Sequence, residues 1–569
     1  MSKLLKTTPV IILSLGLAIF CWSALFVWQG LDFTDMGFSL TLYQQFYTAP
    51  EANSFALLNW LTAFIGHWLG ESLGGSVVSY KLVASAVLAT TGVLAYQALR
   101  AIFGHHGLIA FFVFIAFLFS TKAAGNWINY NNLTALFYTL GGILLFFGLI
   151  RERRILVSLA GGVLAASLFI RFPNLLGMGL VVTIFIYGWL QKWSLQWILA
   201  WSGYFLLGWI VGFLGLVLLI VAHDHQDHVL LSLSMLFEKA TDNDSSHSGT
   251  GLITLFLRDH LMAFLSASVT LAIGSMVLKV AIARPKLIQW IIYISAGLLL
   301  MIALHFTWQW LIPGLLYLGL FWIVAQEWKH RDDLVLLAFI ALAILICAPL
   351  GSGNGIRNAI YAQWLALPLV LAWLCRSPEY ATPLPFVPET RVARLAGAIL
   401  SVTLMVYSLS ISWFYTYRDS KDRTALVYSL NHPLLVGTYT TKERADMVND
   451  LLGVLPQYVR SGDAVLAYPS LPTLHYVTHT QPWLGNSWPV LYEKQKMETK
   501  LVEKMASDKF LPVVVRSLGD TRNRDWPINA SRNRNHPGEE SWQVLDEFVV
   551  NQGYRSVWHN DFFEVLVAR

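Results

Sequence analysis

Over residues 1–413 long apolar runs alternate with short polar breaks, and beyond 413 the alternation stops. The first run, 8–28, carries no charge and is long enough to cross a bilayer as a helix, which takes about 20 apolar residues. Twelve more follow at 77–99, 107–120, 133–150, 155–170, 175–190, 195–222, 261–278, 287–304, 307–325, 334–347, 359–374 and 392–413. This pattern predicts a polytopic α-helical membrane protein with about 13 transmembrane helices. Residues 55–69, short and carrying His67, read instead as an amphipathic helix lying in the interface. Lys3 and Lys6 ahead of the first run superficially resemble a signal peptide. The run is too long and lacks a small-residue cleavage site, so it reads as a retained anchor.

Charge supplies the orientation. Short cytoplasmic loops are enriched in Lys and Arg. With the N-terminus inside, every inner loop is basic, as in Arg151, Arg153 and Arg154, Lys279, Arg284 and Lys286, or Arg376, Arg391 and Arg394. The outer loops, 29–76 and 223–257 being the largest, hold Asp32, Asp35, Glu51, Glu71 and the acidic stretch 224–244. An odd number of spans follows, with the N-terminus cytoplasmic and the C-terminus outside.

Residues 414–569 are richer in charge, proline and asparagine and predict a soluble α/β domain. Helices are expected at 442–459, 492–505 and 542–551. Strands are expected at 463–469 and 511–518, with a hairpin of 555–558 and 562–568 around 559–561. Residues 520–540 read as a long loop. No phosphate loop, nucleophile elbow or histidine-carboxylate metal box occurs there, which leaves covering a membrane-embedded site or binding an acceptor as the domain's role.

Composition agrees with a membrane protein: 56% of the 569 residues are hydrophobic and only 13% charged, far more apolar surface than a soluble core of this size needs. The net charge of +5 sits in short loops and reflects orientation, not binding of nucleic acid. Cys21, Cys347 and Cys375 lie in or at the ends of apolar runs, which argues against a disulfide framework or a thiolate zinc site.

Candidate chemistry concentrates where apolar runs meet outer loops. The stretch 31–47, LDFTDMGFSLTLYQQFY, sets Asp32 and Asp35 just after the first span. Three residues apart, they would share one face of a helix, where like charges raise one pKa and suit it to proton abstraction or cation binding. The plainer reading is that they mark the outer side. Arg171 and Arg357 stand at the ends of spans, where a charge is costly unless paired or solvated. They and Lys122 suit a phosphate, or else snorkel to the interface. His223, His225, Asp227 and His228 match no common zinc spacing, and a solvated interface is the better account of them.

Three stretches resemble the integral-membrane GT-C glycosyltransferases, especially bacterial relatives of the protein O-mannosyltransferases and of the lipid A aminoarabinose transferase. TDMGFSLTLYQQFY is similar to that family's acidic residue and Gly-Tyr-like pair after the first span, with Asp35, Gly37 and Phe38 in the matching positions. NWINYNNLTALFYTLGG resembles a second outer loop entering the next helix, where Tyr130-Asn131 stands for a Tyr-Asp-like pair. GNGIRNAIYAQWLALPLVLAW resembles the late segment in which an arginine, here Arg357, precedes a Leu-Pro step. The chain departs from the pattern at Met36, where relatives often have Glu, and in lacking a Pro-Pro step in the first loop.

The resemblance implies a donor sugar on a polyprenyl phosphate and an acceptor hydroxyl on a glycan, lipid or protein. It implies inversion in a single displacement at the periplasmic face of a bacterial inner membrane. Asp35 is the expected base, with Asp32 supporting it, binding acceptor or helping to hold a cation. Arg171, Arg357 and Lys122 are expected at the donor phosphate, and Tyr130 and Asn131 at the substrate. No cofactor is certain; a divalent metal is compatible with the aspartate pair without being established by it. A transporter or flippase of lipid-linked sugars is the main alternative, although no duplicated halves are visible. A non-catalytic scaffold is a third. A reporter enzyme fused after Arg569 is expected to be active only outside the cytoplasm; cytoplasmic activity would overturn the odd-span topology.

Overall fold

The computed structural model describes residues 2–104, 107–121, 125–241, 248–351, 353–376, 390–524, 526–527 and 539–569. Helix α1 (Ser2–Ala24) is followed by α2 (Asp35–Gln44), a 3-10 segment (Glu51–Asn59) and α3 (Trp60–Leu73). The membrane part continues through α4 (Val77–Phe103), α5 (Gly107–Ser120), α6 (Tyr130–Ile150), α7 (Arg154–Ile170), α8 (Val181–Leu190) and α9 (Leu195–Ala222). It goes on with α10 (Gln226–Thr241), α11 (Gly249–Ile282), α12 (Lys286–Glu327), α13 (Asp332–Cys347), α14 (Ala366–Cys375) and α15 (Thr390–Phe414). Several of these starts are set locally. Ser76, Ser194 and Ser248 each accept a backbone N–H of the first turn of α4, α9 and α11, and Asn129 forms a reciprocal capping box with Asn132 at α6.

The expected 13 spans do not map one to one. Runs 287–304 and 307–325 join into the single 42-residue helix α12, because His305 and Phe306 between them neither break the hydrogen-bond ladder nor suffice to reverse the chain. The run 359–374 instead splits into a 3-10 turn (Gly355–Tyr361) and α14, bent by 72°. Among the described residues seven helices are long and apolar enough to cross a membrane, or eight if that bent pair is one span. Large apolar side chains such as Leu214, Leu218, Leu261, Leu287 and Leu299 stand exposed on α9, α11 and α12, as on surfaces that face lipid.

In the C-terminal region β1 (Tyr428–Ser429) pairs antiparallel with β2 (Tyr439–Thr440). After α16 (Lys442–Val454) come β3 (Ala464–Tyr468), α17 (Pro472–Thr478), β4 (Gln481–Pro482), α18 (Lys494–Ser507), β5 (Val513–Ser517), α19 (Glu539–Asn551), β6 (Arg555–His559) and β7 (Phe563–Val567). The sheet order is β4-β3-β5-β7-β6; β3 runs parallel to β4 and β5, while β7 is antiparallel to β5 and β6. The expected hairpin, strands and helices are all present, and α17 and β4 are additions that the sequence pattern did not reveal.

With α12 continuous, the odd parity loses one of its crossings. That the first loop and the C-terminal region share a side rests instead on direct contact. α17 packs across α2, where a Cβ on Gly37 would collide with the backbone of Thr473, so only glycine permits the approach. The Thr473 N–H donates to Phe33 O at 3.0 Å and its hydroxyl to Asp32 O at 2.9 Å; Thr41 donates to Pro472 O, Gln44 to Tyr476 O and Gln45 to Thr480 O. Beside this seam, buried Asp419 accepts the Leu31 N–H at 2.7 Å and the Thr440 hydroxyl at 2.8 Å, and pairs with fully buried Arg444 at 2.5 Å. Removing one partner of a buried ion pair strands the other charge. Arg444→Met is expected to destabilise the protein by about 3–5 kcal/mol, read as a lowered unfolding temperature in detergent; the Asp419→Asn, Arg444→Met double variant should lose less than the sum of the single losses.

Candidate functional site

Asp32 and Asp35 have different surroundings. The structure does not place them on one helical face: α2 begins at Asp35 with Thr34 at its N-cap position, and Asp32, ahead of both, accepts a backbone N–H of the first turn. Asp32 Oδ1 accepts the Thr34 N–H at 2.9 Å and the Thr34 hydroxyl at 2.6 Å, and Oδ2 accepts the Met36 N–H at 2.8 Å. Burial pushes the Asp32 carboxyl above the ordinary carboxylate range; Arg418 pulls it back and Asp35 pushes it further up. Asp35 is a third exposed. Its Oδ2 accepts from Arg418 Nη2 at 2.7 Å and from the Tyr417 hydroxyl, while Oδ1 has no hydrogen bond among the described residues.

Arg418 and Tyr417 follow directly on the last helix, and nothing in the apolar pattern singled them out. The guanidinium also bonds the Thr34 hydroxyl and lies over the rings of Tyr417 (5.4 Å) and Trp488 (5.6 Å), so one side chain joins α2, the post-helical segment and the C-terminal domain. Burial works against its charge, yet Asp35, Asp32 and Tyr417 hold the guanidinium more firmly protonated than usual. The available signal was the dense polar-aromatic string YTYRDSKDR, residues 415–423, placed where an apolar run ends.

Beside this cluster opens a cavity of about 100 Å³. Its walls include Asp32, Met36, Lys81, Asn129, Tyr361, Tyr417 and Arg423, with Trp22, Trp127 and Trp364. Tyr417 thus carries the Asp35 contact to the cavity wall. Lys81 is buried on α4 and donates to the carbonyls of Gln29 (3.2 Å) and Gly30 (2.9 Å); it makes no ion pair among the described residues. A lysine inside an apolar run is itself a functional signal, and the sequence reading passed over it. Arg423 is consumed by the carbonyls of Ser412, Trp413 and Tyr415 and by Gln29 Oε1, and so ties the end of α15 to the first loop.

The other expected site residues separate. Arg171 is buried, donates to Ala348 O at 3.1 Å, and lies within electrostatic reach of Tyr130, Tyr138 and Tyr361. Tyr130 in turn lies within reach of Asp35, Arg171 and Arg418, so these groups form one neighbourhood. Asn131 occupies the first turn of α6, its N–H donating to the capping Asn129. Arg357 is not part of this cluster: it is exposed, donates to Gln309 Oε1 at 2.5 Å, and lines a second, smaller cavity with Gln309 and Gln363. Lys122 lies outside the described residues.

Asp32 is engaged by Thr34 and the start of α2, and Asp35 Oδ2 is paired with Arg418. Among the described residues no group of three or more His, Cys, Asp and Glu is arranged to hold a metal. His223 and His225 pack instead with aromatic rings: His225 accepts the Trp60 indole N–H at 3.1 Å, and His223 Nδ1 meets the Tyr47 hydroxyl at 3.2 Å.

No protein-family model matches the chain, and no curated protein sequence matches it. Solved structures do. ArnT from Cupriavidus metallidurans bound to undecaprenyl phosphate is 10% identical, covers 98% of this chain over 97% of its own, and superposes with a TM-score of 0.49. The same protein in the apo state is 12% identical with the same coverage and score. At that level of likeness no residue role or substrate passes to this chain.

The local geometry separates structure from chemistry by experiment. Asp32→Ala removes the cap of α2 and is expected to cost about 0.5–2 kcal/mol of stability, visible as a lower unfolding temperature. Restoration of the melting temperature by Asp32→Asn, whose amide oxygen still accepts, would identify hydrogen bonding and not charge as the contribution.

Proposed function

We propose that this chain is a membrane glycosyltransferase that transfers a sugar from a polyprenyl-phosphate-linked donor to an acceptor hydroxyl at the periplasmic face of a bacterial inner membrane. The observation that carries the reading is the division of labour at Asp35. Its Oδ2 is clamped by Tyr417 and Arg418 while Oδ1 has no hydrogen bond among the described residues, beside a cavity lined by buried Lys81, which forms no ion pair among them. A general base and a cation for a departing phosphate are the two things such a transfer requires.

In this reaction the acceptor O–H gives its proton to Asp35 Oδ1. The oxygen forms a bond to the anomeric carbon, and the bond from that carbon to the lipid phosphate oxygen breaks, its electron pair leaving with the phosphate. Lys81 lines the cavity and keeps a third N–H beyond its two carbonyl contacts, whereas Arg423 is taken up by carbonyls and Gln29; Arg171 lies within electrostatic reach of Tyr361 on the cavity wall. Arg357, on its separate cavity, has no part in the step. Asp32 serves by fixing the start of α2. The acceptor is a hydroxyl of a glycan, lipid or protein, and the soluble domain roofs the site from which it approaches.

The test is sugar transfer from an extracted pool of lipid-linked donors by wild type and Asp35→Asn, with donor binding measured in parallel. Transfer is expected to fall by about 10²–10⁴-fold while binding and folding persist. Normal transfer by the variant would remove Asp35 as the base, and a wild type that binds the lipid without transferring would make transport the better reading.

A further inference from the structure

The cavity beside Asp35 also limits which sugar it accepts, and this step rests on the reading above. We infer that the transferred group is a single hydroxyl-rich sugar without a free ammonium group. Size comes first. A water needs about 10–15 Å³ of such space, so a cavity of about 100 Å³ has room for roughly seven to ten waters, which suits one sugar ring with its hydroxyls and not an oligosaccharide.

The lining then decides the chemistry. Three of its residues, Trp22, Trp127 and Trp364, keep buried indole N–H groups with no partner among the described residues, and the buried hydroxyl of Thr416 has none among them either. Buried donors without partners are costly, and an indole nitrogen can donate but never accept. Lys81 adds a further donor and a positive charge. A ligand that satisfies this set must present acceptors, as hydroxyl, ring and glycosidic oxygens do.

An ammonium offers the reverse: three donors, no acceptor and a charge of the same sign as Lys81 and Arg423. Asp32 is the carboxylate on the wall, and three of its roughly four lone-pair positions are already taken by Thr34 and Met36. The wall therefore sets against a protonated amino sugar two cations, Lys81 and Arg423, and a single carboxylate already engaged by Thr34 and Met36.

The inference is tested on the full chain in detergent by competition binding of three probes at neutral pH: undecaprenyl phosphate, its glucose ester and its glucosamine ester, the last two differing by one hydroxyl against one ammonium. The glucose ester is expected to bind at least about tenfold more tightly than the glucosamine ester. Trp127→Phe, which keeps a ring and removes the N–H, is expected to weaken the glucose ester about fivefold or more while bare undecaprenyl phosphate binds as before; an unchanged unfolding temperature shows that the variant folds. Equal or tighter binding of the glucosamine ester overturns the inference, as does a Trp127→Phe variant with unaltered preference. If neither ester binds better than bare undecaprenyl phosphate, the cavity is not a sugar site and the inference also fails. The glycosyltransferase reading is judged separately by transfer from the extracted donor pool: transfer without any preference for the glucose ester would overturn this inference and leave that reading standing, whereas a wild type that transfers nothing would overturn both.

Discussion

Asp419 holds the two halves of the molecule in register. Its carboxylate takes a backbone N–H from the first loop, a hydroxyl from β2 and the guanidinium of Arg444 on α16, all in a buried seam. Arg444 in turn donates to Trp526 O and lies over the Trp526 ring at 4.5 Å, and that ring packs edge-on against Phe33 of the first loop, so the constraint returns to the same seam. Such a pair contributes little net energy over an apolar substitute, and its effect lies in fixing one geometry. Because Arg418 is the next residue along the chain, fixing Asp419 also fixes the cation that meets Asp35.

Everything chemical at the site is built off that seam. α2 is held at its start by Asp32 and along its length by α17, and Gly37 allows the two helices to touch backbone to side chain. Arg423 ties the end of α15 to Gln29, and Lys81 reaches the carbonyls of Gln29 and Gly30 from α4. The short stretch 29–35 is therefore pinned from four directions before any substrate arrives, the preorganisation that a catalytic carboxylate needs. The cavity wall holds three indole donors without partners among the described residues.

The two aspartates show how equal residues acquire unequal roles. Both follow the first span, yet one lies ahead of a helix and accepts a backbone N–H from the helix start, while the other is the first residue of that helix and faces a tyrosine and an arginine from more than 380 positions away. Spacing alone treats them as a pair. Their chemistry differs because one carboxylate is enclosed by its own backbone and the other by side chains that arrive from the end of the membrane region.

Hydrophobic periodicity by itself determined the membrane class of this chain, most helix positions and the α/β order of the C-terminal region, because burial in lipid and in a sheet impose their own periods on sequence. It also placed Asp35 at the edge of an apolar run. It left open that two runs form the one helix α12, since no break residue announces either a turn or its absence. The partners of Asp35 were also beyond it. Tyr417, Arg418, Lys81 and the three indoles converge from five distant segments, and only the packing of α2 under α17 and the seam at Asp419 brought them together, because contact between such segments depends on tertiary geometry that no local pattern encodes.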